Sequence, residues 1–474
     1  MKIYNSLSRK IEEFEPFGLA QGKPFTVGLY TCGPTVYDYP TIGNYRTYTL
    51  SDVLVRTLKF FGYKVKYVMN LTDVGHLTGD NTGDADTGED RLEKGARREG
   101  KSAWDIAKFY SQDFVDSFGK LNLIPPDVLA PATEHIAEQI ELAKRLEQKG
   151  LTYKISDGIY FDTAAYEKIS GNKYGELSTL DQIKEGARVE PNRQKRNPRD
   201  FALWKISPKG AKRQMEWDSP WGVGFPGWHL ECSAMGMKYL GEQFDIHVGG
   251  EDLRSTHHPN EVAQSQGATG KVPFVKYWVH GAFLLVDGGR MGKSLGNAYT
   301  LHDIDQKGFD PLALRYFYLT GHYRKQLSFT WEALTGAQTA LNKLREAVVS
   351  LRGEKERTTL SAEKLTKVDD YRRKFEVAMG DDLNTPQALA VVWEVVKSNI
   401  PSTDKYDLIM SFDEVLGLKL SQTTGIKSQV PNNIKIQIDK REKLRQEGKY
   451  EEADRIRKEI EALGFTVQDA KRKH

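Results

Sequence analysis

The chain has 474 residues, 39% of them hydrophobic and 28% charged, and a formal net charge of +3. That length is too great for one ordinary core and implies two to four domains, and the composition excludes a disordered chain. The small net charge makes no case for a nucleic-acid partner by itself, two cysteines exclude a disulfide framework, and no apolar run approaches a membrane span. The start, Met1-Lys2-Ile3-Tyr4-Asn5, lacks the pattern of a secretory signal, so a cytoplasmic protein without membrane contact is expected.

In chain order, 26–32 (TVGLYTC) reads as a strand ended by Gly33-Pro34. Leu50, Val53, Leu54, Leu58 and Phe61 recur at helical spacing and predict a helix over 47–61, and 64–70 (KVKYVMN) reads as a second strand. Strand, loop, helix and strand in this order mark a parallel sheet, and the pattern resumes at 245–248 and 277–280. Between these blocks, 126–200 opens after Pro125-Pro126 and closes on the basic run 193–199, which reads as an insertion. Beyond 330 strand signals stop, and helical patterns fill 332–352, 361–379, 386–399 and 404–417. A linker, 421–433, leads to a helical hairpin turning at Gly448, with Ala453, Ile456, Ile460 and Leu463 on one apolar face and Gly464 as cap.

The expected fold is α/β. A Rossmann-type parallel-sheet catalytic domain (1–125 and 201–330) is split by a connective insertion (126–200). An all-α helical bundle (331–420) and a small C-terminal region (421–474) follow.

Four residues invite a metal reading. Cys32 ends the first strand, Cys232 enters a helical stretch, and His257 and Glu261 are four apart, on one face if their segment is helical. Pro259 is tolerated only in a first helical turn, which puts His257 at or just before the helix start. Two thiolates, an imidazole and a carboxylate suit zinc. Spacing alone leaves open two ordinary buried cysteines and a surface histidine pair. Three further signals point to a nucleotide: Gly43 before a helix, Lys293 among glycines in 290–297 (RMGKSLGN), and Asp252 after the Gly249-Gly250 turn. Each alone also fits a plain turn. The acidic stretch 79–90 fails the calcium-loop pattern, because Gly95 stands twelfth from Asp84.

Together, the strings 32–38 (CGPTVYD), 131–136 (PATEHI), 215–222 (MEWDSPWG) and 227–233 (GWHLECS) resemble the class I aminoacyl-tRNA synthetases, and among them the cysteinyl-tRNA synthetase family. The likeness runs to about residue 465. It implies a cysteine–tRNA ligase that uses Mg-ATP to make cysteinyl-adenylate and then charges tRNA(Cys), acting as a monomer. It also implies one zinc ion per chain on Cys32, Cys232, His257 and Glu261, selecting L-cysteine by its thiolate. Thr72 and Trp228 then surround the substrate, Gly43, Asp252 and Lys293 hold ATP, and Thr41, Asn44 and Lys293 serve catalysis. Two signatures depart from the family's. Thr41 replaces the first histidine of one, and Arg290 and Gly292 replace the first lysine and serine of the other. The tail 466–474 lacks the family's glycine-threonine-tryptophan ending. A ligase joining cysteine to an amino-sugar and a non-catalytic zinc and RNA-binding protein are the competing readings.

Overall fold

The computed structural model describes residues 1–18, 26–79, 86–178, 192–208, 210, 213–352, 359–420 and 432–462. The chain divides into two compact units, Met1–Pro40 with Leu50–Phe118 and Ile124–Phe283, and Thr41–Thr49 with Gly119–Leu123 and Leu284–His474.

The first unit opens with an antiparallel pair, β1 (Lys2–Asn5) and β2 (Lys10–Glu13). Then come β3 (Val27–Thr31), α1 (Ile42–Phe60, whose residues 42–49 belong to the second unit), β4 (Val65–Leu71), α2 (Arg91–Glu99), α3 (Ala103–Leu121, whose last residues from 119 belong to the second unit), β5 (Val128–Pro131) and α4 (Ile136–Gln148). After β6 (Thr152–Ile155), β7 (Gly158–Phe161), α5 (Thr163–Ser170), β8 (Phe201–Ile206) and β9 (Gly224–Pro226), the unit closes with α6 (Trp228–Leu240), β10 (Phe244–Gly250), α7 (His257–Thr269) and β11 (Val275–Gly281). Its centre is a parallel sheet in the order β11-β10-β3-β4-β5. All five residues of β3 are buried, as expected of a strand covered on both faces. The order places β3 between β10 and β4, so the chain turns away from β3 at the point where loops on either side leave room for a site.

The parallel sheet read from the sequence is therefore present. The segment 126–200 contributes strands to two sheets. Its first strand, β5, pairs in parallel with β4, and β6 and β7 share a four-stranded antiparallel sheet with β8 and β9. Pro125-Pro126 suggested a break, yet the next residues form a strand at the sheet edge.

The second unit contains β12 (Leu284–Val286), α8 (Leu301–Gln306), α9 (Pro311–Leu319), β13 (Leu327–Phe329), α10 (Trp331–Leu351), α11 (Ala362–Gly380), α12 (Thr385–Lys397) and α13 (Ser402–Leu416), then the pair α14 (Asn432–Gln446) and α15 (Tyr450–Ala462). The helical patterns beyond 330 correspond to α10 through α13. Gly448, at φ +77°, turns the hairpin between α14 and α15. Leu463, Gly464, the linker 421–431 and the tail 466–474 lie outside the described residues.

A buried arginine organises this unit. Arg315 on α9 donates from Nε to Leu416 O (2.7 Å) and from Nη1 to Leu121 O (3.1 Å) and Asn122 O (3.3 Å). Gly417 lies against its guanidinium at φ +65°, and a Cβ there would come within 2.5 Å of Nη2. No described helix is long and apolar enough to cross a membrane.

Candidate metal and substrate site

Past their carboxyl ends β3 and β4 continue to pair: Thr72 N donates to Pro34 O (3.0 Å) and Val36 N to Thr72 O (3.1 Å). Gly33 makes this approach possible, because a Cβ on it would lie 1.7 Å from Asn70 O. Cys32, just after β3, donates its backbone N–H to Val248 O on β10 (3.1 Å). It thus sits at the centre of the sheet's carboxyl edge. Cys232 comes from the second turn of α6, and His257 and Glu261 from the start of α7. α7 begins at His257, as Pro259 required.

The donor atoms of Cys32, Cys232, His257 and Glu261 lie within 4.8 Å of one another, and every one of these residues is buried. The two sulfurs are 3.6 Å apart. Glu261 Oε1 is 3.1 Å from His257 Nε2 and 3.9 Å from Cys32 Sγ. A tetrahedral zinc ion with Zn–S bonds of about 2.3 Å would hold two thiolates roughly 3.8 Å apart. The donor set and the sulfur separation both fit that ion.

Electrostatics divide the donors. Burial pushes the Glu261 carboxyl up, but His247 and His257 outweigh it and hold it at about 2. Burial likewise raises the Cys232 thiol, and the hydrogen bond with Cys32 and the neighbouring His257 bring it down to about 6. His257 is lowered by burial but raised more by Glu261 and Cys232, to about 10. The Cys32 thiol is pushed well above its ordinary range, first by burial and then by Cys232. To take up a divalent cation, such a buried cluster would have to give up protons.

Histidines surround this cluster. His247 Nε2 lies 3.0 Å from Glu261 Oε2, and His229 Nδ1 lies 2.9 Å from His257 Nδ1. His258 Nε2 approaches Cys32 Sγ (3.3 Å), while its Nδ1 faces His280 Nε2 (2.7 Å). Cys32, His247, His258 and Glu261 form a second set of four close donors. Burial drives His258 well below its usual pKa and His280 to about 3, leaving both neutral. The sequence reading gave none of these histidines a role. The available signal was polar residues inside otherwise apolar strands, His247 in β10 and His280 in β11.

Thr72 and Trp228 belong to the same place. Thr72 Oγ1 donates to Glu231 Oε2 (2.8 Å) and accepts from Asn70 Nδ2 (3.1 Å). Asn70 Oδ1 in turn accepts from Gly33 N (2.8 Å). Burial, followed by the Cys232 charge, pushes the Glu231 carboxyl well up from its ordinary range. Trp228 stacks on His257 (centroids 4.3 Å apart) and on His76 (4.0 Å). Asp252 is exposed, in the 3-10 turn after β10.

The remaining candidates belong to the second unit. α1 begins at Ile42, five residues earlier than the apolar spacing suggested. The reason is a reciprocal cap: Thr41 N and Oγ1 both donate to Asn44 Oδ1 (2.9 Å each), and Asn44 N points back to Thr41 Oγ1 (3.4 Å). Gly43 therefore lies within the first helical turn, not before it. A Cβ on Gly43 would meet Met291 Sδ at 3.5 Å, so the 290–297 loop passes directly beside it. Asn297 braces that loop, accepting from Gly292 N (2.9 Å) and donating to Arg290 O (3.1 Å). Lys293 is exposed at the start of a 3-10 turn. In the acidic stretch, 80–85 lies outside the described residues. Asp86 forms a buried ion pair with Lys195 (2.9 Å), and Asp90 caps α2.

Residues 19–339 match the family model described as tRNA synthetases class I (C) catalytic domain, and 374–399 match the DALR domain. The chain is 46% identical to Cysteine--tRNA ligase 1 of Burkholderia lata, over 99% of this chain and 95% of the relative. It is 42% identical to the Cysteine--tRNA ligase of Treponema denticola, over 99% and 98%. Among solved structures, a Mycobacterium tuberculosis methionyl-tRNA synthetase in complex with methionyl-adenylate superposes with TM-score 0.57 at 14% identity, covering 85% of this chain and 92% of that one, a likeness of fold.

Proposed function

The chain belongs to the cysteinyl-tRNA synthetase family of class I, and from that premise we propose that it activates L-cysteine with Mg-ATP and transfers it to tRNA(Cys), selecting cysteine through a zinc ion held by Cys32, Cys232, His257 and Glu261. The observation that carries this reading is the convergence of those four buried donors at the carboxyl edge of the parallel sheet. Bound there, zinc supplies a thiophilic centre that prefers a substrate thiolate to a hydroxyl, where size alone separates cysteine from serine poorly.

The chain's own residues do the rest. Thr72, fixed by Asn70 and Glu231, and Trp228, stacked on His257, orient the amino acid with its side chain toward the cluster. The cysteine carboxylate attacks the α-phosphorus of ATP, the bond to the bridging oxygen breaks, and pyrophosphate leaves. Such a displacement needs positioning and charge stabilisation, not a protein nucleophile. Gly43 allows close approach to the nucleotide at the start of α1, and Asn44 contacts it. Thr41 acts through its hydrogen bond to Asn44, and Asp252 accepts from ribose hydroxyls. Lys293 stabilises charge on the leaving phosphates. A terminal ribose hydroxyl of the tRNA then takes the aminoacyl group and AMP departs. We assign the protein to the cytoplasm, acting as a monomer.

Cysteine-dependent ATP–pyrophosphate exchange tests activation. Exchange with cysteine and not with serine is expected, and its absence would sink the proposal. Charging of tRNA(Cys), with no transfer to an amino-sugar, identifies the acceptor. The DALR match at 374–399 and the α14–α15 hairpin favour tRNA.

A further inference from the structure

Two successive non-glycine residues, Asp382 and Leu383, hold φ of +57° and +55° in the turn between α11 and α12. Left-handed backbone is unfavourable for residues with a Cβ and persists where the surroundings over-determine it. What it accomplishes here is the placement of one carboxylate. Asp382 is buried; its Oδ1 accepts from Tyr323 Oη and its Oδ2 from Arg324 Nε, each at 2.6 Å.

Tyr323 and Arg324 lie in the connection between α9 and β13. The same connection presents two backbone carbonyls, His322 O and Lys325 O, to Arg46 Nη2 at 3.3 and 2.5 Å. Arg46 is 6% exposed and sits on α1 just after the Thr41–Asn44 cap. Tyr318 at the end of α9 adds a second tie, donating from Oη to Ile42 O (2.6 Å). A buried guanidinium cannot shed its charge, so moving those carbonyls must move Arg46 or leave its donors unpaired. There is space for such movement: Thr320, His322, Arg324, Lys325 and Asn384 line a cavity of about 430 Å³.

We propose that Asp382 is a positioning residue for the nucleotide end of α1. Through Tyr323 and Arg324 it clamps the 322–325 connection, the connection holds Arg46, and Arg46 sets the turn that carries Gly43 and Asn44. The proposal rests on the reading of those two residues as ATP contacts. It makes the turn between two bundle helices, far away in sequence, a determinant of how ATP is held.

The test compares Asp382→Asn, Tyr323→Phe and Arg46→Lys in the full chain. Asp382→Asn is expected to raise KM for ATP in pyrophosphate exchange about tenfold. KM for cysteine and zinc content should stay within about twofold of the parent, a split that general damage would not give. Amide hydrogen exchange over residues 42–49 should accelerate while α6 is unchanged. The Asp382→Asn/Arg46→Lys double variant should be no worse than the more affected single one, because both act through one connection. Equal rises in both KM values, additive effects, or unaltered exchange over 42–49 would overturn the proposal. If Asp382→Asn fails to fold, the milder Tyr323→Phe carries the same readouts. If the parent shows no cysteine-dependent exchange, the proposed activity fails, and the amide comparison alone decides whether the clamp holds α1.

Discussion

Cys32, Cys232, His257 and Glu261 are all at most 7% exposed, whereas Asn44, Lys293 and most of the loop around Lys293 face solvent. The first group is assembled from three elements far apart in sequence and braced by His229 and His247. The second is shaped locally by a helix cap within 41–44 and an asparagine-braced loop within 290–297, with Tyr318 and the 322–325 connection tying α1 from farther along the chain. The contrast follows from the proposed ligands. Discriminating a sulfur from an oxygen needs desolvated, pre-positioned donors, while a triphosphate is met by exposed charge and free amides that can close on it.

Substitutions on either side should break the two functions separately. The largest effect is expected for Cys232→Ser: zinc falls well below one per chain and cysteine activation drops by about 1,000-fold, with ATP affinity unchanged. Metal analysis beside equilibrium ATP binding checks this. Lys293→Ala should do the converse, lowering kcat of pyrophosphate exchange about 100-fold while zinc stays bound. Away from both regions, Gly417→Ala forces a Cβ into the Arg315 guanidinium at a left-handed position, and about 3 kcal/mol of stability should be lost, read from the urea midpoint. Thr41→Ala should be mildest, costing about 1 kcal/mol through the lost cap and modestly raising KM for ATP.

The contrast also explains what could be read from the sequence. The parallel sheet was legible because β3, β4, β10 and β11 are apolar runs ended by glycine, proline or polar turns. The bundle helices were legible from their 3.6-residue period. The start of α1 was missed because it is set by the Thr41–Asn44 cap and not by apolar spacing. β5 was missed because four residues after a double proline carry too little pattern to show which sheet they join. Within the site, the i to i+4 pair His257 and Glu261 was visible, since a helix brings such residues together. Nothing local links Cys32 to Cys232 across 200 positions, and only the family likeness joined them before the fold did. The buried histidines and the Asp382–Arg46 connection depend on tertiary contacts of that same long range, which no motif records.

The central claim is that the four buried donors hold a metal ion that meets the substrate's sulfur. Replacing the metal with cobalt(II) and recording the thiolate-to-cobalt charge-transfer band tests it most directly. A band from two protein thiolates is expected that intensifies when L-cysteine is added, does not respond to L-serine, and is lost in Cys232→Ser. Failure to bind cobalt, or a band indifferent to cysteine, would contradict it.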